Sequence, residues 1–553
     1  MTCRSIMIIS LAFMVQGLFA QAPQDWFHLD NSADGYNGVS TKKTYNELLK
    51  GLPSNTVVVA VIDSGVDTDH EDLAPVMWVN ADEIPGNGID DDNNGYVDDI
   101  HGWNFIGGKT GNVDKDTYEA TRVYKKLHAI YANVDGSTLK GKKKDQFDMY
   151  VKVKEEVESK KATAEAQLAQ LGQTEALVSG AFDSLEKALG GKPLTKANVD
   201  AIDAGSDEQL GIALNIMSRV FAQGEEVGTI AEMREELSSQ IEGQGQFFKA
   251  QSEYAYNPDF NPRTVIGDDY SNSYEKGYGN NDYEGPDAFH GTHVSGIIAA
   301  ARNNDIGMDG VANNVRIMTL RAVPDGDERD KDVANAIIYA VDNGASIINM
   351  SFGKGYSWDK KAVDKAVKYA NKKDVLLVHA AGNAAQDNDT AENYPRDEYF
   401  KNNGKPKGKF APNWLEVGAL SWKDGADLPA TFSNYGKKNV DLFAPGVAIY
   451  STIPDNEYRN AQGTSMASPV VAGVAAILRS YFPSLTAQQT KEILMSSAIK
   501  STEKVNVPGS DEMVPFSQLS VCGGIVNTYT AVQKAKTVKG NKKVKKTVKA
   551  VYP

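Results

Sequence analysis

Two histidines stand three residues apart in FHGTHVSGIIAAA, at the head of an apolar run that reads as a helix. At that spacing His290 and His293 share a helix face. They could bind a metal together, although the HExxH spacing and a cysteine partner are both missing; a structural histidine at a helix start is the plainer alternative. Ser465 lies in GTSMASPVVAGVAAIL, ahead of a second apolar run. It is either a helix cap, whose oxygen takes a first-turn N–H, or a nucleophile. Asp63 closes the run VVVAVID and precedes Ser64-Gly65, which suits a turn or a carboxylate that orients a histidine. Asn383 follows VLLVHAAG. It is a turn residue or an amide donor for an oxyanion, with Gly382 letting backbone and substrate come close.

Together these four residues make one chemistry. A serine hydroxyl is a weak nucleophile until a base takes its proton. A histidine titrates near neutral pH and can take and return that proton. A carboxylate fixes its tautomer, and a helix-start N–H with the Asn383 amide can hold the oxyanion that forms. The chain order Asp, His, Ser is one of the three known for such triads. The Gly-x-Ser-x-Gly elbow of α/β-hydrolases is absent, since the chain reads Gly463-Thr464-Ser465-Met466-Ala467. That counts against an esterase or lipase.

These groups need a scaffold that gathers them. VVVAVI (57–62) is a continuous β-branched run, the mark of a strand buried on both faces. Similar runs recur at 315–323, 346–351, 375–382 and 414–420, with helical patterns at 333–344 and 364–373 between them. Strand alternating with helix predicts an α/β fold with a doubly wound, mostly parallel sheet, whose reactive groups collect at the carboxyl ends of strands. Residues 110–260 differ, being rich in Ala, Glu, Lys and Gln. A heptad counted from Phe147 puts Tyr150, Val157, Ala164, Leu171, Val178 and Leu185 on one seam. This predicts a long amphipathic helix, weakened at Gly172 and Gly180 and stopped at Gly190-Gly191. With further helices expected at 208–222 and 227–240, the segment reads as a large α-helical insertion, a structural embellishment or a binding arm.

The 553 residues carry a formal net charge of −15, which argues against nucleic acid as a partner. Residues 534–549 hold eight Lys and no acid; a solvated tail is expected, with anionic polymers or membranes as its alternative contacts. Arg4, the apolar stretch 6–15 and the small residues Ala20 and Ala22 read as a secretory signal. The protein is therefore expected to be exported, periplasmic or extracellular. No later stretch is long enough for a membrane span. Cys3 falls in the signal and leaves Cys522 alone, so no disulfide is expected. A large core or a bound metal has to serve instead.

A metal loop is legible in GNGIDDDNNGYVDDIHGW (86–103). Asp90, Asp92 and Asn94 alternate ahead of Gly95; Tyr96 can offer its carbonyl, and Asp98 follows. Alternating oxygens before a turning glycine suit Ca2+. His101 stands where an EF-hand has its closing Glu, so one ligand must come from elsewhere.

The stretches VIDSGVDTDHEDL, HGTHVSG, INMSFG, AAGN and GTSMASPVVAGVAA resemble the motifs of the subtilisin-like serine proteases, or subtilases, over about 56–106 and 263–530. FSNYG (432–436) and DLFAPGVAIYSTIP (441–454) are similar to further subtilase stretches. The resemblance implies a subtilisin-like fold and a serine endopeptidase that cleaves protein or peptide substrates through an acyl-enzyme. It implies Asp63 as the orienting carboxylate, His290 as the base, Ser465 as the nucleophile and Asn383 as the oxyanion donor; His293 has no counterpart role. Ser351-Phe352-Gly353 matches the strand that pairs with the substrate backbone. Calcium is also implied, since subtilases are often calcium-stabilised. A non-catalytic binding protein on the same scaffold, acting through the insertion, is the alternative, and the presence of all four residues disfavours it.

The expected division is a signal peptide (1–20), an N-terminal segment (21–55), a catalytic domain in two parts (56–108 and 263–530), the helical insertion (109–262) and a Lys-rich tail (531–553). The insertion falls between the Asp and His motifs, so it is expected to leave and return near the cleft and to gate substrate. About 35 residues separate the signal from the first strand, too few for the inhibitory propeptide of many subtilases. The loop PDGDERDKD (324–332) lies where the family tends to form the other wall of the cleft. Its acids suggest a preference for basic substrate side chains.

Overall fold

The computed structural model describes residues 22–222, 228–401 and 406–542; the expected signal peptide and residues 543–553 of the tail lie outside them. Val57–Asp63 is an inner strand of a nine-stranded sheet. From one edge the sheet runs Ile499–Lys500, Gly524–Ile525, Leu442–Pro445, Trp414–Leu420, Leu376–Ala380, Ile347–Met350, Val57–Asp63, Val315–Arg321 and Gly102–Asn104. Pairing is parallel except between the first two of these.

Alternate residues of the first strand enter different cores. Val57, Val59 and Val61 pack with the helices Phe289–Ala299 and Thr464–Tyr481 on one face, and Ala60 and Ile62 pack with Asp330–Asp342 and Lys360–Lys372 on the other. A strand sealed on both sides has no water-facing positions, so its sequence shows no polar alternation. The first strand lies between Val315–Arg321 and Ile347–Met350. The chain crosses there from one side of it to the other, and such a switch point opens a crevice at the strand ends. The N-terminal segment belongs to the same core: Trp26 is fully buried, and its indole N–H donates to the carbonyls of Val447 and Ala448, both at 3.2 Å.

The insertion is built on the helix Lys142–Leu189, 48 residues long, or about 70 Å at the usual rise. Of its expected seam, Tyr150, Val157, Ala164, Leu171 and Leu185 are buried and Val178 is half-buried. The helix runs through Gly172 and Gly180 and ends at Gly190, whose φ is 58°. A glycine costs about 1 kcal/mol in a helix, which the packing of Glu208–Ala222 and Ile230–Ala250 along this rod outweighs. A second core, nearer the sheet, joins Tyr124, Leu127, Tyr131, Tyr150 and Val153 to Tyr256 and Tyr356. Tyr356 comes from the loop after Ile347–Met350, so the arm is packed onto the sheet domain. Among the described residues no helix is long and apolar enough to cross a membrane.

Candidate active site

Asp63 ends its strand 2% exposed. Its Oδ1 accepts the Ser64 N–H at 2.8 Å and faces His290 Nδ1 at 2.7 Å. His290 opens the helix Phe289–Ala299, which approaches this closely because residue 291 is glycine: a Cβ there would lie 2.0 Å from the Gly65 carbonyl oxygen. Burial lowers the pKa of the His290 imidazole, but the Asp63 charge and hydrogen bond, helped by Asp287, outweigh burial and hold it above its ordinary value. With Nδ1 held on Asp63, Nε2 is the atom left to exchange protons. His293, one turn on, is a core residue. Its Nε2 bonds the Arg459 carbonyl at 3.0 Å, and burial pushes its pKa down to about 4. The two histidines thus have separate partners and form no metal pair.

Ser465 is the second residue of Thr464–Tyr481 and caps nothing. Its hydroxyl donates to the Ser351 carbonyl at 3.1 Å, and the Ser351 hydroxyl donates back to the Ser465 carbonyl at 2.9 Å. That carbonyl is free because the residue four positions on is Pro469, which has no N–H to close the helical bond. The proline in GTSMASP therefore ties the Ser351 strand to the serine helix. Asn349 extends the tie, donating to the Ser351 hydroxyl at 2.9 Å and accepting from Ser468 at 2.8 Å. Phe352 is half-buried and Gly353 exposed beyond it. Among the described residues no hydrogen bond joins Ser465 to His290; the hydroxyl has to leave the Ser351 carbonyl before a base takes its proton.

Asn383 Oδ1 accepts from the Thr464 N–H at 2.8 Å and the Thr464 hydroxyl at 3.0 Å, while that hydroxyl accepts from the Gly382 N–H at 3.1 Å. These bonds orient the amide and leave Nδ2 as its free donor. A Cβ on Gly463 would lie 3.4 Å from Asn383 Nδ2 and 3.5 Å from the Ser465 nitrogen. Two donors thus border one volume, kept clear by a glycine whose φ of 154° other residues rarely adopt. An oxyanion placed there is served by both.

Sequence reading missed Asn434, inside FSNYG, because nothing distinguishes it from a turn asparagine. It is 4% exposed, and every polar atom is used. Its N–H donates to the Gly382 carbonyl at 2.8 Å, and Nδ2 donates to the Ala381 carbonyl and Asn388 Oδ1, both at 3.0 Å. Its Oδ1 accepts from the Ala384 and Gln386 N–H groups at 3.0 Å. It grips the loop on both sides of Asn383. We expect Asn434→Ala to lower kcat about tenfold with KM little changed, and to cost almost nothing more once Asn383 is alanine. Equal losses in both backgrounds would make Asn434 a fold residue only.

The acidic loop 324–332 departs from expectation. Asp327 accepts the Glu119 N–H at 2.7 Å, Arg329 pairs with Asp116 at 2.6 Å, Asp330 with Lys354 at 2.8 Å and Asp332 with Arg263 at 2.5 Å. Lys331 pairs with Asp268 and Glu275. Arg329, Asp330, Lys331 and Asp332 thus spend their charges on internal partners, which leaves Asp325, Asp327 and Glu328 as the loop's acids outside those pairs.

In the acidic loop 86–103 the carboxylates of Glu83, Asp90 and Asp92 bring oxygens within 4.8 Å of one another. No Lys or Arg pairs with them among the described residues; their partners are amides, as when Glu83 accepts the N–H groups of Asp91, Asp92 and Asp98. Asn94 Oδ1 accepts the Tyr96 N–H at 2.8 Å, and the Tyr96 ring is buried against Trp103 and Tyr339. Asp98 does not join the cluster. Its φ is 53°, and its carboxylate turns back to accept the N–H groups of Asn87 and Gly88. Three like charges without a counter-ion fit a hard divalent cation.

The sequence profile of the subtilase family matches residues 54–518. A thermophilic serine proteinase of Bacillus sp. (strain AK1) is 37% identical over 278 residues, covering 50% of this chain and 58% of that protein. Thermitase of Thermoactinomyces vulgaris is 37% identical over 246 residues, covering 44% and 75%. The crystal structure of a cold adapted subtilisin-like serine proteinase aligns at 30% identity over 44% of this chain and 77% of its own, with a TM-score of 0.35.

Proposed function

Because the chain belongs to the subtilase family of serine endopeptidases, we propose that it is exported and hydrolyses peptide bonds through Asp63, His290 and Ser465. The observation that carries this is the Asp63–His290 pair together with the two donors around Gly463, beside Ser465. His290 Nε2 takes the Ser465 proton as Oγ attacks the scissile carbonyl. The oxyanion rests between Asn383 Nδ2 and the Ser465 N–H, and Asp63 stabilises the imidazolium. His290 then protonates the leaving amine, and water repeats the cycle on the acyl-serine. Ser351-Phe352-Gly353 holds the substrate backbone, and Gly382 lets the substrate come close. The test is casein hydrolysis by the wild type, blocked by a serine-directed sulfonyl fluoride and absent in Ser465→Ala. Export rests on the apolar stretch 6–15.

We propose further that Glu83, Asp90, Asp92 and Asn94, with the Tyr96 carbonyl, hold Ca2+. Glu83 supplies the ligand missing from the EF-hand frame, and Asp98 shapes the turn. The ion neutralises the clustered carboxylates and braces the loop. At free calcium a hundredfold above Kd, the ion adds about 2.7 kcal/mol. Chelation should then lower Tm by about 3–4 °C. Glu83→Gln should melt at the chelated value with or without calcium; an unmoved wild-type Tm would remove the site.

A further inference from the structure

Lys354 directly follows Ser351-Phe352-Gly353, and its side chain is fully buried. An ammonium has three donors and tolerates burial only when they are met. Here Nζ donates to the Glu328 carbonyl at 2.6 Å, Asp330 Oδ1 at 2.8 Å and Glu119 Oε2 at 3.1 Å. The first two acceptors belong to the loop 324–332. The third lies in the first turn of Glu119–Tyr131, the first helix of the insertion. One charge therefore joins the substrate strand, the facing loop and the root of the arm.

Neighbouring contacts reinforce the junction. Arg122, from the same insertion helix, pairs with Glu119 and donates to the carbonyls of Asp327 and Glu328, both at 3.1 Å. The Lys354 backbone exchanges two hydrogen bonds with Tyr394, at 2.9 and 2.8 Å. Two residues on, the Tyr356 hydroxyl donates to Glu156 on the long helix at 2.5 Å.

We infer that Lys354 is a positioning residue through which the insertion and the loop 324–332 together fix Ser351-Phe352-Gly353, the strand proposed to receive an extended peptide. The inference rests on the endopeptidase reading. A buried ion pair adds little net stability against apolar neighbours of the same volume, so the role argued for this one is to hold register, which is what a substrate-pairing strand needs. The partners of Lys354 are Glu119, Glu328, Asp330 and Tyr394, and none is Asp63, His290 or Ser465, so its loss acts on long substrates and spares the chemistry.

Two substrates separate these effects: a tetrapeptide anilide, which uses the strand, and an N-acetyl amino-acid ethyl ester, which does not. Lys354→Met should lower kcat/KM for the anilide about tenfold or more, through KM, and for the ester less than about threefold. Glu119→Gln removes one of the negative charges that face Lys354 while keeping an acceptor oxygen, and should show the same split more weakly; it decides the matter if Lys354→Met does not fold. Parallel losses on both substrates, or no loss on either, overturn the inference. Wild-type protein that cleaves neither substrate overturns the endopeptidase reading, and this one with it.

Discussion

Ser465→Ala should lower kcat about a millionfold, a magnitude taken from the nucleophile of subtilisin, a member of this family. The same substitution at His290 should cost about as much, and the two together scarcely more, because neither residue does chemistry without the other. A residual rate of about 10^3 over water should survive, supplied by Asn383, the Ser465 N–H and substrate binding. Stability should hardly move. The Ser465 hydroxyl makes one hydrogen bond, to the Ser351 carbonyl, worth about 1 kcal/mol. A large loss of activity at unchanged Tm is thus the signature of a nucleophile. A binding protein on the same scaffold would hydrolyse nothing in the wild type, and additive losses at the two positions would deny that they act as a pair.

The strands were legible because burial on both faces leaves an uninterrupted apolar run, as in Val57–Asp63. The long helix was legible because its seam repeats every seventh residue. The proposed triad emerges only as a set: each member alone has a bland alternative, and their shared placement at strand ends and helix starts is what favours the chemical reading. What stayed hidden depended on partners far along the chain. The loop 324–332 looks like a solvated acidic turn, yet Asp116, Glu119, Arg263 and Lys354 neutralise or cap it from distant segments. Glu83 lies upstream of the acidic loop 86–103, outside a frame that counts forward from Asp90. Pro469 signals a helix interruption in sequence, while its effect is to free one carbonyl for Ser351.

Asp63→Ala should cost about 10^4 in kcat, again a scale set by the family's own aspartate, and should move the pH profile. The active imidazole is the neutral one, so kcat/KM falls as pH drops through the His290 pKa. In the wild type that acid limb lies above the ordinary 6.5, because Asp63 outweighs burial. Without the carboxylate, burial dominates and the limb should shift below 6.5. Asp63→Asn separates two contributions. The Ser64 N–H bonds the same Oδ1 that faces His290, while Oδ2 is buried without a partner. Ser64 should therefore keep the amide oxygen on the His290 side, so the tautomer survives and only the charge is lost. The asparagine variant should then lose less activity than the alanine one and still show the shifted limb. Equal losses would mean that the charge, and not tautomer control, is what Asp63 supplies, and an unmoved limb in both would detach the profile from the Asp63–His290 pair.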